Sequence, residues 1–236
     1  QLKRTIRSLM FLKTKYDGLG RFEKIKARLV ANGAQQDRKL YTDTSSPTVA
    51  LQSVFTCLAI AAKEGRHIST VDIGGAYLNA EMTGEEVIME LEPMLATIMK
   101  KLDPSIQPFI DERGRLLVRL DKALYGCVQS ARLWYNTIRA YLESIGFVAN
   151  TVDQCVFNRT ANGNQCTVTL HVDDLLVMSQ DKSDTVWLVE QLKKQYGEVK
   201  YCDDSDMSYI GMHVSVADGK AVISMKAYLD GVLEEA

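Results

Sequence analysis

Two adjacent carboxylates, Asp173 and Asp174, stand inside an otherwise apolar run, "TLHVDDLLVM". A charged side chain beside such a run is costly unless it is solvated, paired or bound to a cation. Aspartate also favours turns for its own backbone chemistry, so a plain turn is one reading of the pair. In the other, the turn projects hard oxygen donors into a cleft to bind Mg²⁺, a cation typically held by a few carboxylates together with substrate phosphates. Asp72, in "ISTVDIGGAYLNA", falls at the end of a second alternating segment. Taken alone it fits an ordinary strand-end cap. Two metal ions about 4 Å apart draw carboxylates from more than one part of a chain. An aspartate at one strand end and an Asp-Asp pair at a later hairpin together form the carboxylate set of nucleotidyl transfer.

Strands must position these groups. In "CTVTLHVDDLLVM" the two-residue period sends Val168, Leu170 and Val172 to one face, and Thr167, Thr169, His171 and Asp173 to the other. Leu175 to Met178 resume as the return strand, which puts the aspartates at or next to a tight hairpin turn. By the same period Val71 and Ile73 point one way, and Thr70 and Asp72 the other.

Around them, residues 8–31 predict a β-hairpin turning at Asp17-Gly18 and Gly20. Ser46 as N-cap, Pro47 in the first turn and Gly65 as stop predict a helix across "SSPTVALQSVFTCLAIAAKEG". Further helices are expected in "MLATIMKKL", in "VQSARLWYNTIRAYLESIGF" with Gly146 as its stop, and in "DTVWLVEQLKKQYG". Leu133, Trp134, Ile138, Tyr141, Leu142 and Ile145 fall at helix spacing in the second of these. A Pro-containing loop and a turn at Gly114 follow the first, and two strands flank "NRTANGNQ". A hairpin on Asp218-Gly219 and a last helix close the chain. With no regular strand–helix alternation, the order is that of an α+β fold: an antiparallel sheet backed by helices.

The 236 residues, 46% hydrophobic and 25% charged, suffice for one large domain or two subdomains with a sizeable core. No apolar run approaches the roughly 18 to 20 residues that cross a bilayer, and the start lacks a secretory cleavage pattern, so an intracellular protein without a membrane partner is expected. A first residue other than Met suggests a piece of something longer. Five cysteines without a C-x-x-C pair point to reduced, mostly buried thiols, and no zinc site is legible. His67 and His213 lack ligand-spaced partners and are expected at the surface or in the core. Residues 1–39 carry eleven Lys/Arg against three Asp/Glu, a net +8 that leaves −10 for the rest. A basic arm on an acidic body suits a polyanion at one part and cations at the other. The acids of "YCDDSDM" (201–207) are expected in a solvated loop.

Seven stretches carry a resemblance: "KARLVANG" (26–33), "SSPTVALQSVFTCLAIAA" (45–62), "VDIGGAYLNAEMTGEEVIMELEP" (71–93), "LDKALYGCVQSARLWY" (120–135), "GFVANTVDQCVF" (146–157), "HVDD" (171–174) and "YIGM" (209–212). In this order and spacing the chain resembles the reverse transcriptase domain of copia-type LTR retrotransposons, nearly end to end. The resemblance implies a right-hand polymerase, with fingers at about 1–66 and 94–132 and palm at about 67–93 and 133–208. Residues 209–236 would form a primer-grip hairpin and the start of the thumb or connection. It implies an RNA-directed and DNA-directed DNA polymerase working on an RNA template, a DNA primer/template and deoxynucleoside triphosphates. Two Mg²⁺ ions, replaceable by Mn²⁺, would be held by Asp72, Asp173, Asp174 and the backbone of Ile73.

The same resemblance assigns Lys26, Arg28, Tyr77 and Gln129 to the nucleotide, with Tyr77 as the aromatic gate against a 2′-hydroxyl. It assigns His171, Tyr209, Ile210, Gly211 and Met212 to the primer. It further implies a Pol polyprotein with integrase and RNase H, in the cytoplasm within virus-like particles. Several positions depart from the family pattern. His171 replaces the usual tyrosine, Ala50 and Phe55 stand where arginines are frequent, and Val128 and Asn32 replace lysines. Lost cations weaken polyanion binding, so an inactive relative serving as a nucleic-acid-binding module is the alternative. Another palm-type enzyme, such as a cyclase, shares the carboxylates but has no use for a basic hairpin.

Overall fold

The structure is a computed structural model, and it describes residues 5–16, 22–203 and 206–235. In chain order the strands are β1 (Ile6–Tyr16), β2 (Phe22–Ala31), β3 (His67–Ile73), β4 (Ile88–Leu91), β5 (Leu116–Arg119), β6 (Val148–Ala149) and β7 (Val156–Ala161). They continue as β8 (Asn164–His171), β9 (Asp174–Ser179), β10 (Val199–Cys202), β11 (Asp206–Tyr209), β12 (Met212–Ala217) and β13 (Lys220–Ser224). The helices are α1 (Leu51–Glu64), α2 (Pro93–Leu102), α3 (Ser130–Ser144), α4 (Lys182–Tyr196) and α5 (Lys226–Glu235). The chain divides into two compact units, 1–45 with 77–134 and 46–76 with 135–236. Mixed α+β character is as expected from sequence.

The first unit is built on a four-stranded sheet in the order β2-β1-β4-β5. β1 and β2 form the expected hairpin, although its turn at Asp17-Gly18 and Gly20 lies outside the described residues. The parallel pairing of β1 with β4, Ile6 against Met89, has no sequence signal, because β4 is a short strand far along the chain. Ile6, Val87, Met89, Leu91, Leu95 and Leu116 form its core. Gly126 (φ 92°) fits closely there: a Cβ would lie 1.9 Å from the Ala31 carbonyl oxygen, so only glycine lets the chain pass before Gln129.

The second unit carries a six-stranded sheet, β10-β3-β9-β8-β7-β6, with every neighbour antiparallel, and a three-stranded sheet, β11-β12-β13. Both faces of the central strands are covered. On one face α4 packs, with Thr185 Oγ1 2.7 Å from Ser179 Oγ. On the other, α1 lies along Thr167, Asn158 and Met178 across a cleft of about 480 Å³. Asn162-Gly163 and Asp218-Gly219 all take positive φ, the mark of type I′ hairpin turns.

Two expectations are corrected. Helix α1 begins at Leu51 behind an Ala50 cap, not at Ser46-Pro47. The Val49 N–H instead donates to the Leu170 carbonyl, which holds that segment extended against β8. Asp153, from the β6–β7 loop, supplies the cap: it accepts from the Ala50 N–H at 3.0 Å and from Ser53. Second, the alternation along β8 does not separate core from non-core, since Thr167 and Thr169 on its polar face are buried too. Asp203 stands exposed outside any strand, as expected, with β10 before it and β11 after it. Tyr201 and Cys202 pair with Val71 and Thr70, and Asp203 is bound to Lys182 at 2.5 Å. Residues 204–205 lie outside the described set. The five cysteines are free thiols, three of them buried, as anticipated.

Candidate active site

The β8–β9 hairpin pairs His171 with Asp174, which leaves Val172 and Asp173 as its two turn residues. Val172 takes a φ of 59°, a conformation that a β-branched side chain rarely adopts, so this turn is strained. Asp174 in turn pairs with Asp72 on β3, and Asp72 with Lys200 on β10. Direct cross-strand partners share a sheet face. Lys200, Asp72, Asp174 and His171 therefore form one row across four strands. Asp173 joins it through the backbone: its carbonyl accepts the Ile73 N–H at 3.1 Å.

The acids are half-buried and crowd one another. Burial first, then the charges of Asp173 and Asp72, push the Asp174 carboxyl up to about 6. A cation would relieve that repulsion, and carboxylate oxygens are donors that a hard divalent ion prefers. Among the described residues, no three His, Cys, Asp or Glu side chains form a ready-made cage for a metal ion. A cleft of about 150 Å³ opens beside Asp72 and Asp174, with Lys200, Tyr201, Ser208 and Tyr209 among the residues of its wall.

The β11–β12 hairpin meets this face one row below the carboxylates. Tyr209 pairs with Met212, and both are buried. The Tyr209 hydroxyl lies 3.0 Å from Thr169 Oγ1, two residues before His171. Ile210 and Gly211 make the turn, both with positive φ. Of the four "YIGM" residues, only these two stand at the tip.

The other candidates lie in the first unit. Lys26 pairs across the hairpin with Lys13, and Arg28 with Phe11. Directly opposed like charges destabilise a ladder unless an anion bridges them. The Arg28 guanidinium sits 4.9 Å from the centre of the Tyr125 ring, and Tyr125 packs on Tyr77 with ring centroids 4.3 Å apart. Gln129 is buried. It accepts a hydrogen bond from Gln36 Nε2 at 3.0 Å.

A family model described as reverse transcriptase (RNA-dependent DNA polymerase) matches residues 2–236. The chain belongs to the reverse transcriptase family. The Pol polyprotein of tobacco (Nicotiana tabacum) transposon TNT 1-94, a retrovirus-related protein, is 27% identical over 98% of the chain. The truncated Ty1-A Gag-Pol polyprotein of Saccharomyces cerevisiae is 32% identical over 92% of it, and the Ty1-DR5 Gag-Pol polyprotein 31% over 92%. This reverse transcriptase domain spans 17%, 17% and 11% of those three relatives. The copia-type resemblance read from the motifs thus agrees with the relatives found. No helix among the described residues is long and apolar enough to cross a membrane, which leaves β-barrels unaddressed.

Two residues that neighbour these candidates, one in each unit, escaped sequence reasoning. Lys200 is a lone exposed lysine, and only the β10–β3 register reveals it opposite Asp72. Gln36 carries no local pattern. Its neighbour Gln35, which accepts from the Arg7 N–H, looks the same in sequence.

Proposed function

We propose that this domain is an RNA-directed and DNA-directed DNA polymerase that adds deoxynucleotides to a primer 3′-hydroxyl. One observation carries the reading: Asp72 and Asp174 are direct cross-strand partners beside the strained Val172-Asp173 turn. Family membership supplies the reaction class. In this reading Asp72, Asp173, Asp174 and the Ile73 carbonyl hold two Mg²⁺ ions, for which Mn²⁺ substitutes. Mg²⁺ is typically bound by one or two carboxylates plus substrate phosphates, so a complete protein cage is not required. Bound there, the ions would supply a lowered pKa for the attacking hydroxyl and neutralise the triphosphate.

The remaining roles belong to the chain. Lys26 and Arg28 bind triphosphate oxygens, and the opposed Lys13–Lys26 pair favours an anion. Tyr77, backed by Tyr125, forms the flat wall that excludes a 2′-hydroxyl. Gln129 contacts the nucleotide. His171, Ile210 and Gly211 face the primer, while Tyr209 and Met212 support that hairpin from within. In this reading the fingers comprise about 1–66 and 94–132 and the palm about 67–93 and 133–208, with the primer-grip hairpin after them. The domain works within a Pol polyprotein beside integrase and RNase H, on template and primer in cytoplasmic virus-like particles.

Primer extension on an RNA template tests this. Mg²⁺-dependent incorporation that disappears in Asp173→Asn is the expected result. Template binding without extension by the unaltered domain would instead make it a nucleic-acid-binding module, and product without template would make it a cyclase-like enzyme.

A further inference from the structure

A chain of donors and acceptors in the first unit fixes the orientation of Gln129. It starts at the Val128 backbone N–H, which can only donate. The atom it meets at 2.9 Å is therefore the oxygen of Gln36, Oε1. That settles which end of the Gln36 amide is nitrogen. Gln36 Nε2 has two hydrogens and two acceptors, the Tyr41 hydroxyl at 2.8 Å and Gln129 Oε1 at 3.0 Å. Both are filled.

The consequence falls on Gln129. Its oxygen already accepts one strong hydrogen bond, so the less well satisfied end is the NH₂ group. The hydrogen-bond partner of that NH₂ is Met82 Sδ at 3.1 Å, and a thioether is a weak acceptor. Gln129 is 5% exposed and Gln36 is 8% exposed, so water does not readily make good the shortfall. A buried donor pair with one poor acceptor is set up to receive an oxygen.

We propose that Gln36 is a positioning residue: it holds the Gln129 amide so that nitrogen, not oxygen, is offered to an acceptor oxygen of the incoming nucleotide. The nucleotide part rests on the polymerase reading above. The clamp itself rests on the hydrogen bonds alone. Gly33 belongs to the same clamp, because a Cβ there would lie 2.0 Å from the Gly126 oxygen and 3.3 Å from Gln36 Oε1.

A one-atom exchange tests the proposal. In Gln36→Glu the new carboxylate still accepts from the Val128 N–H but has nothing to donate. Gln129 must then turn its NH₂ toward residue 36 and offer its oxygen instead. The deoxynucleotide KM should rise about tenfold, as for loss of one hydrogen bond. The kcat should stay within about twofold, and the side-chain NH₂ resonances of Gln129 should move in ¹⁵N spectra. The neutral isostere Gln36→Met, which neither accepts nor donates strongly, should raise KM in the same direction if the buried carboxylate proves harmful to folding. The positioning role is overturned if Gln129→Leu raises KM while neither Gln36 variant does. It is also overturned if Gln129→Leu leaves KM unchanged in an enzyme that extends primers. Should the unaltered domain extend nothing, that failure belongs to the polymerase reading. The spectra then decide the clamp, and Gln129 NH₂ resonances identical in wild type and Gln36→Glu overturn it.

Discussion

Asp72 and Asp174 face each other directly across the β3–β9 ladder, with Asp173 beside them in the turn. Unfolding separates them. The Asp174 carboxyl, raised to about 6 in the fold, returns to its ordinary value near 3.8 when the chain opens. A raised acid favours the protonated fold, so stability present at low pH is lost as pH rises through about 6. Asp174→Asn should therefore stabilise the metal-free domain at about pH 8, by about 1 kcal/mol once solvent screening of this half-buried group is discounted. At about pH 4 the gain should vanish. Urea unfolding at both values checks this, and equal effects at the two would refute the crowding. Added Mg²⁺ should stabilise the wild type more than the variant.

The same hairpin stores backbone strain at Val172. Glycine adopts a positive φ freely but costs more entropy on ordering. Relief of the strain should win, so Val172→Gly is expected to raise stability by about 1 kcal/mol. Chemical denaturation measures it. A variant less stable than wild type would mean that packing of the half-buried valine outweighs its strained φ.

Asp153 acts at a distance in sequence as the cap of α1. Burial pushes its carboxyl up, yet hydrogen bonds from Ser53, the Ala50 N–H and the Cys155 N–H overcome that and hold it below the ordinary range. Asp153→Ala should cost about 1 to 2 kcal/mol above about pH 5. A depressed acid contributes stability that is lost as pH falls through its folded value, so the penalty should shrink in strong acid. Thermal melts across that range test both the size and the sign.

What local pattern could reach was read correctly at many of these points. The two-residue period places the aspartates at a hairpin, and the Asn162-Gly163 and Asp218-Gly219 steps mark two of the other turns, because those signals depend on near neighbours. Long-range pairing defeated the same reasoning. Ser46-Pro47 is a sound helix start, but the Leu170 carbonyl takes the Val49 N–H and delays α1. Lys200 meets Asp72 only because β10 adds to the sheet edge. The alternation sets Thr169 on the polar face of its strand, and no sequence rule says that a second sheet covers it with Tyr209.

That last contact makes a quantitative prediction. Tyr209 and Thr169 are both buried, and their hydroxyls lie 3.0 Å apart beneath the carboxylate row. Tyr209→Phe leaves the Thr169 hydroxyl without this partner and should destabilise the domain by about 1 to 3 kcal/mol. Thr169→Val alone leaves the tyrosine hydroxyl only the residue-169 carbonyl at 3.4 Å, at a similar or smaller cost. In the double variant neither group is stranded, so its loss should fall short of the sum of the single losses by about 1 kcal/mol or more. Primer extension adds a second readout, because the hydrogen bond anchors the strand that carries His171 and the aspartate turn. Tyr209→Phe should lower kcat several-fold while leaving template affinity in place. Additive stability losses together with an unchanged kcat would show that the two hydroxyls merely lie near each other.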